Sequence, residues 1–315
     1  MLTYMIYALC ACALWGLVFV IPGLLVGFTA LEVAVGRCFV FGIFSLGIFL
    51  SQRNRMLGSL SKEVWTKALQ LSFVANLIHY VALVLSMIYG NAMLSILILG
   101  VNPVTVAWYG NLKHREQRIS SLLVPSLFII AGLLTIHIEI FNQSVSLREH
   151  LWGMIFAALA LITWTWFIVA NAEFLKGHKV MVHDWVTVVG IATLFWACCS
   201  VAGVLLVQSI LDFENNPLGF KGELPVLVMG SLVLGLGSSW GAQYFWNMAT
   251  LRLPISLSGQ LIVFESLFGL LYIFLLESRF PTALDFIGIA LILSGVTIAI
   301  QKQRKIADLN SNITN

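Results

Sequence analysis

Long apolar segments, separated by short stretches of charged and turn-forming residues, dominate the chain. About 20 apolar residues suffice for a helix to cross a bilayer. Because lipid offers backbone N–H and C=O groups no partner, each segment is predicted to be a helix, and the short alternating segments of a membrane β-barrel are absent from the sequence. The pattern predicts ten spans, at approximately residues 3–25, 31–51, 66–88, 91–111, 119–140, 151–173, 182–208, 224–249, 255–276 and 283–301.

The composition of the 315 residues agrees with this pattern. Hydrophobic residues make up 60% and charged residues 10%, with a mean hydropathy of +0.96, whereas soluble domains average about 25% charged residues. Abundant apolar surface excludes intrinsic disorder, and a net charge of +3 without a basic cluster excludes a nucleic-acid binder. The chain is therefore predicted to be an all-α, multi-pass protein of the cell membrane, of the bacterial cytoplasmic type.

The basic residues predict the orientation of the chain in the membrane. With ten crossings and the N-terminus in the cytosol, the exterior segments hold only Arg148, Lys221 and Arg279, and Arg37 lies within a span. Both termini are therefore predicted to be cytosolic. The other basic residues, 13 in number, all fall on the cytosolic side: Arg53, Arg55, Lys62, Lys67, Lys113, Arg115, Arg118, Lys176, Lys179, Arg252, Lys302, Arg304 and Lys305.

Other chemistry that could define a function is not indicated. The first charged residue is Glu32, so the N-terminus lacks the basic start of a signal peptide, and residues 3–25 are expected to remain as a span. The sequence shows no H-x-x-x-H metal spacing and no nucleophile–base pair, so we expect no cofactor, no metal and no enzymatic activity. The cysteines lie in apolar segments without C-x-x-C spacing and are expected to be small buried hydrophobic residues: Cys10, Cys12, Cys38, Cys198 and Cys199.

The sequence also contains signs of an internal repeat. Residues 1–141 and 142–301 are predicted to be two five-helix repeats, followed by a polar cytosolic tail at 302–315. Because five is an odd number, the second repeat would enter the membrane inverted, and inverted repeats place a transporter's site near the bilayer midplane. A shift of 163 residues superimposes Gly132 on Gly295, Pro125 on Gly288, Asn91 on Pro254, and Leu94-Ser95 on Leu257-Ser258.

Several short motifs occur in order over nearly the whole chain: Ala13-Leu14-Trp15-Gly16, Arg37, Pro103, Glu116, Arg252-Leu253-Pro254, Leu276-Glu277, Ile287-Gly288 and Ser294-Gly295-Val296. Their order and spacing resemble the ten-helix, EamA-type branch of the drug/metabolite transporter superfamily. The chain departs from the family pattern at Ser266, where the second half often has proline, and at Glu277, which comes two residues earlier than Glu116 predicts. The resemblance implies transport of small metabolites, prominently amino acids and their relatives, and it implies export.

Polar side chains within the spans are the candidates for binding a substrate, because in lipid they normally face the protein interior or a wet cavity. The 163-residue shift superimposes Asn102 on Glu265 and Tyr80 on Gln243, so each pair would line opposite walls of one cavity. The spans contain these polar residues: Arg37, Asn76, His79, Asn102, Gln243, Gln260 and Glu265.

Three of these residues allow two interpretations each. Glu265 could hold a substrate amino group or exchange a proton, or it could be a structural hydrogen-bond partner. His79 could titrate during transport, or it could be a neutral residue bonded to a backbone or amide group. Arg37 could attract a substrate carboxylate, or it could snorkel toward the exterior interface, and the structural role is favoured.

Aromatic residues and prolines add further candidates. Trp15 and Trp164 hold similar places in the first helix of each half, and Trp240 lies close to Gln243 in the sequence. An indole in a cavity can stack on a planar group or bind a cation, although lipid-facing or packing roles are the alternative. Pro103 and Pro254 interrupt matching helices and are candidate hinges.

These features together predict a secondary transporter that moves a small amphipathic metabolite by alternating access. Substrate would bind between helices 1, 3, 4, 6, 8 and 9, and both proton coupling, through Glu265 or His79, and facilitated diffusion fit the sequence. The alternatives are uptake or exchange of a nucleotide-like solute, a membrane-embedded enzyme, and a sensor. The predicted substrate-binding residues are Trp15, Asn76, His79, Tyr80, Asn102, Trp164, Trp240, Gln243, Gln260 and Glu265.

Overall fold

A computed structural model describes residues 1–89, 98–136, 138, 151–211, 219, 221–278 and 280–314, and these residues form helices and connecting turns without a strand. Three long elements are composite: α3 and α8 each contain a π-helical segment, and α9 is divided at Ile262. The helices are α1, Leu2–Gly16; α2, Ala30–Ser51; α3, Lys62–Ser72, Phe73–Ile78 and His79–Tyr89; α4, Asn102–His114; α5, Ile119–Ile136; α6, Leu151–Gly177; α7, Val182–Leu211; α8, Leu224–Leu232, Val233–Gly241 and Ala242–Thr250; α9, Ile255–Leu261 and Val263–Leu276; and α10, Ala283–Thr314.

Eight helical segments among the described residues are long and apolar enough to cross a membrane. They correspond to all of the predicted spans except 66–88, which falls on α3, and 91–111, of which α4 is the described part. The prediction of an all-helical, polytopic membrane protein is therefore confirmed, and the count of ten spans stays a prediction. Asn91, Leu94-Ser95, Arg148 and Arg279 lie outside the described residues.

Side-chain caps fix the points at which several helices begin. Thr29 and Glu32 form a reciprocal capping box at the start of α2, in which Thr29 N–H donates to Glu32 Oε2 at 2.7 Å. The start of α9 is capped by a residue distant in sequence, because the backbone N–H groups of Ile255 and Ser256 donate to the two carboxylate oxygens of Glu116 at 2.7 and 2.8 Å. Glu116 thereby joins the turn between α4 and α5 to the first turn of α9.

The helices pack in a small number of close pairs. α2 packs on α7, α3 on α6, α4 on α9 and α5 on α10, while α1 packs against both α8 and α9. Small residues allow the backbones to approach in the α5–α10 pair: a Cβ atom on Gly132 would lie 2.6 Å from the Gly288 carbonyl oxygen, and one on Gly295 would lie 2.8 Å from the Pro125 carbonyl oxygen. Such small-residue contacts are a usual basis of helix association in lipid.

A chain of buried polar side chains joins α6, α7 and α8. Trp185 Nε1 donates to Asn171 Oδ1 at 2.8 Å, and Asn171 Nδ2 donates to Asn247 Oδ1 at 2.8 Å. The three residues are at most 2% exposed. Because a buried polar group without a partner is costly, these bonds hold the three helices in a defined register.

Candidate functional site

A cavity of about 530 Å³ lies between α2, α3 and α7. It occupies the N-terminal half of α2 and the C-terminal part of α7. Next to the cavity, near the middle of these two helices, the backbones pack closely, with Gly42 against Leu194 and Gly190 against Ser45. The lining residues are Leu31, Ala34, Val35, Cys38, Asn76, Leu77, Tyr80, Val81, Thr193, Trp196, Ala197, Ser200, Gly203, Val204 and Gln208.

This cavity has the size of a small-molecule site, since such sites usually measure about 300–1,000 Å³. Most of its lining is hydrocarbon, with Trp196 as an aromatic surface, and the polar groups come from a few side chains of α3 and α7. Such a lining suits a molecule that is largely apolar and carries one or two polar groups.

Two of the predicted binding residues, Asn76 and Tyr80, line the cavity. Asn76 Nδ2 donates to Thr193 Oγ1 at 3.0 Å, which links α3 to α7 across the cavity wall. Asn76 lies in the π-helical segment Phe73–Ile78, and Tyr80 follows it by two residues. π-Helical turns inside α-helices are frequent at functional sites.

His79 is directed toward α6. Its Nδ1 lies 2.9 Å from the Ala160 carbonyl oxygen, so that nitrogen is the donor, and the imidazole lies 4.9 Å from the Trp164 ring between centroids. The predicted residues His79 and Trp164 are therefore brought together, beside the cavity rather than among its lining residues. The backbone bond agrees with the structural interpretation of His79, and its Nε2 takes no part in that bond.

Four predicted residues carry buried polar atoms that have no hydrogen-bond partner among the described residues. Buried polar groups normally bond to protein, water or a ligand. These atoms are therefore among the positions at which the helix interior can accept a polar ligand or water: Asn102 Oδ1, Trp240 Nε1, Gln243 Oε1 and Gln260 Nε2.

Glu265 lies in the first turn of the second segment of α9 and is half-buried. Its carboxylate is close enough to Cys12 to interact electrostatically, which places it beside α1. Within the described ranges no ion pair or hydrogen bond to the Glu265 carboxylate occurs. A carboxylate in this setting is available to a cationic group of a ligand or to a proton.

The predicted tryptophans are partly engaged in packing. Trp15 is buried and its ring lies 5.2 Å from that of Trp246, which joins α1 to α8. Trp240 is stacked on Tyr244 with centroids 5.5 Å apart and meets the edge of Phe44 at 5.6 Å. Neither Trp15 nor Trp240 lines the cavity.

The candidate hinge prolines lie at helix starts. Pro103 occupies the first turn of α4, and Pro254 is the residue that precedes α9. Proline is well tolerated at both positions because the first N–H groups of a helix have no partner within it. Their role as hinges stays a prediction.

The prediction of a site between helices 1, 3, 4, 6, 8 and 9 missed the contributions of α2 and α7 to the cavity. Thr193, Ala197, Ser200, Val204 and Gln208 recur every three or four residues and line it from one side. This helical stripe of small and polar residues is visible in the sequence, and it is the signal by which the cavity wall could have been found.

The fold and the cavity define a class of protein, namely a multi-pass α-helical protein of the cell membrane. No family model matches the sequence. The chain is 32% identical over 315 residues to Inner membrane protein YtfF of Escherichia coli strain K12, and the match covers 96% of both sequences. The chain therefore belongs to the family of this inner membrane protein, which confirms the predicted localisation.

A solved crystal structure has the same fold. It matches with a TM-score of 0.75 at 16% sequence identity, covering 96% of this chain and 98% of that one. At this level of identity the likeness extends to the fold alone, and membership of the EamA-type branch stays a prediction.

Proposed function

We propose that the protein is a secondary transporter that moves a small amphipathic metabolite across the membrane by alternating access. The observation that supports this most is the cavity of about 530 Å³ between α2, α3 and α7, which narrows where α2 and α7 pack at Gly42 and Gly190. A cavity between spanning helices that is closed at one end is what one state of an alternating-access cycle requires.

The packing of the helices supports two repeats of five helices each. In such a repeat, each helix corresponds to the helix five positions along the chain. This exchange leaves the packed pairs α2–α7, α4–α9 and α5–α10 unchanged. It turns the packed pair α3–α6 into α8–α1, and these two helices also pack on each other. The contact of Gly132 with Gly288 likewise becomes that of Gly295 with Pro125 under the 163-residue shift. The two π-helical segments also correspond, since Phe73–Ile78 maps inside Val233–Gly241.

This exchange fits the proposed division at residues 1–141 and 142–301, with ten spans and the second repeat inverted. In transporters built this way, rocking of one repeat against the other exposes a site between them to each side in turn. The buried polar atoms of Asn102, Gln243 and Gln260 on α4, α8 and α9 lie in the helices that such a movement would rearrange.

Polar contacts close the end of the bundle that the basic residues mark as cytosolic. Arg55 pairs with the buried Asp184 at 2.6 Å, and this hydrogen bond raises the pKa of Arg55. Glu173 on α6 binds Lys113 at 2.6 Å and His114 at 2.7 Å, at the end of α4. The described state is therefore proposed to be closed to the cytosol, with its cavity directed to the exterior.

The resemblance to EamA-type carriers adds amino acids and their relatives as the proposed substrates and export as the proposed direction. Glu265 would bind the substrate amino group or a coupling proton. A nucleotide-like solute fits less well, because the residues that line the cavity include no lysine or arginine to neutralise phosphates.

Purified protein in proteoliposomes tests this proposal. We expect uptake of a labelled compound from a panel of apolar amino acids, and we expect Glu265→Gln to lower the rate or to change its pH dependence. Glu223→Gln is the matched control, since Glu223 is an exposed residue that precedes α8. Transport of no compound in a broad metabolite library would contradict the proposed function, and an unchanged rate and pH profile in Glu265→Gln would remove Glu265 from it.

A further inference from the structure

Arg37 lies inside α2, between two of its packing faces. Gly36 contacts Ser231 of α8, and the Arg37 carbonyl oxygen is 3.0 Å from where a Cβ atom on Gly235 of α8 would lie. Ala34 and Cys38, on the neighbouring face of α2, line the cavity. The side chain is half-buried, so Arg37 lies within the bundle, next to the residues of α2 that line the cavity.

The charge of Arg37 acts on groups at the cavity. It interacts electrostatically with His79 and Tyr80 of α3 and with the thiol of Cys38. Tyr80 and Cys38 both line the cavity. The charge of Arg37 therefore lies close enough to act on the part of the wall that α2 and α3 form.

No carboxylate in the described part of the chain forms an ion pair with Arg37. Carboxylates elsewhere in the membrane region have other contacts: Glu32 caps α2, Asp184 pairs with Arg55, and Glu265 lies beside Cys12 of α1. A guanidinium within a spanning segment is costly without an anionic partner, and its planar fork of N–H donors matches a carboxylate.

We propose that Arg37 binds the carboxylate of the transported molecule at the wall formed by α2 and α3. This inference rests on the proposed transport function and adds to it a chemical class, an organic acid or zwitterion with an apolar body. The apolar lining, including Leu31, Val35 and Leu77, accepts the hydrocarbon part. Arg37 then sets the orientation of the ligand, because its cationic side chain lies next to the α2 residues that line the cavity, whereas the lining residues themselves include no cation.

The experiment measures ligand binding by tryptophan fluorescence of the purified full chain, since Trp196 lines the cavity. The probes are leucine, leucinamide, 3-methylbutylamine and 4-methylpentanoate, which separate the carboxylate from the amino group. We expect wild type to prefer the two carboxylates. We expect Arg37→Gln to weaken their binding by about ten- to a hundred-fold, the usual effect of a charged hydrogen bond, and Arg37→Lys to retain part of it.

Arg53→Gln is the control, because Arg53 is exposed in the short helix after α2. Equal carboxylate binding by wild type, Arg37→Gln and the control would overturn the proposal and favour an arginine that only snorkels. Transport of amines or neutral solutes without carboxylate binding would also overturn it while leaving the transporter function intact. Carboxylate binding that depends on Arg37, without transport of any compound, would support Arg37 and contradict the proposed function.

Discussion

Replacement of Asn171 by leucine tests whether the polar chain across α6, α7 and α8 stabilises the fold. Leucine keeps the branched shape of the side chain and removes both hydrogen bonds of the amide, leaving the Trp185 indole N–H and the Asn247 side-chain oxygen Oδ1 buried without their partner. Hydrogen bonds within membrane proteins average about 0.6 kcal/mol each, whereas orphaned buried groups in soluble proteins cost about 1–3 kcal/mol each. We therefore expect the free energy of unfolding to fall by about 1–6 kcal/mol.

Steric trapping or equilibrium unfolding in mixed detergent micelles can measure this change. Asn247→Leu is the companion variant, because it removes only the bond between Asn171 and Asn247 and leaves the bond between Trp185 and Asn171 in place. The loss in Asn247→Leu should be smaller than that in Asn171→Leu. Equal stability of wild type and both variants would refute the reasoning that these buried bonds fix the register of the three helices.

Two further substitutions test the helix contacts and the cavity. Gly132→Leu should lower the free energy of unfolding by about 1–3 kcal/mol, because its Cβ would lie 2.6 Å from the Gly288 carbonyl oxygen. Gly47→Leu is the control and should leave the free energy of unfolding unchanged, because a Cβ at Gly47 would have no atom within 4 Å. A Gly132→Leu variant as stable as wild type in the same unfolding assay would contradict the packing of α5 on α10. Ser200→Trp should fill the cavity and abolish transport in proteoliposomes without loss of folded protein, while Ser294→Trp, on the exposed face of α10, should transport normally. Normal transport by Ser200→Trp would exclude this cavity as the substrate site.

The sequence predicted the helices well because the bilayer allows so few alternatives. A segment such as 182–208 must be both apolar and helical to cross, so its composition and its structure follow from the same constraint. The repeat alignment was informative for a related reason. The 163-residue shift superimposes four residues that make close contacts between α5 and α10, namely Gly132, Gly295, Pro125 and Gly288.

The cavity could not be located from the sequence in the same way. It depends on how α2 and α7 separate from their contact at Gly42 and Gly190, and no single residue encodes that separation. The polar residues of the spans include Asn76 and Tyr80, so the sequence predicts the part of the cavity wall that α3 forms and no other part of it.

The π-helical segments were also missed. A segment such as Phe73–Ile78 has the same apolar composition as an α-helix, and the difference is in the hydrogen-bond spacing of the backbone. The sequence also does not show what surrounds each tryptophan. Whether Trp15 lines a cavity or packs on Trp246 depends on the rotation of α1 against α8, which periodicity does not determine.

The cap that Glu116 forms on α9 has a mechanical consequence. Two backbone N–H groups of α9 are held by one carboxylate, and the amide of the next residue, Gln117, adds a bond to Ser256 Oγ at 3.2 Å. The turn after α4 and the first turn of α9 thus form one rigid joint. A tilt of both segments of α9 together would therefore move this turn, so a spin label placed there would report whether the first segment follows movements near Glu265.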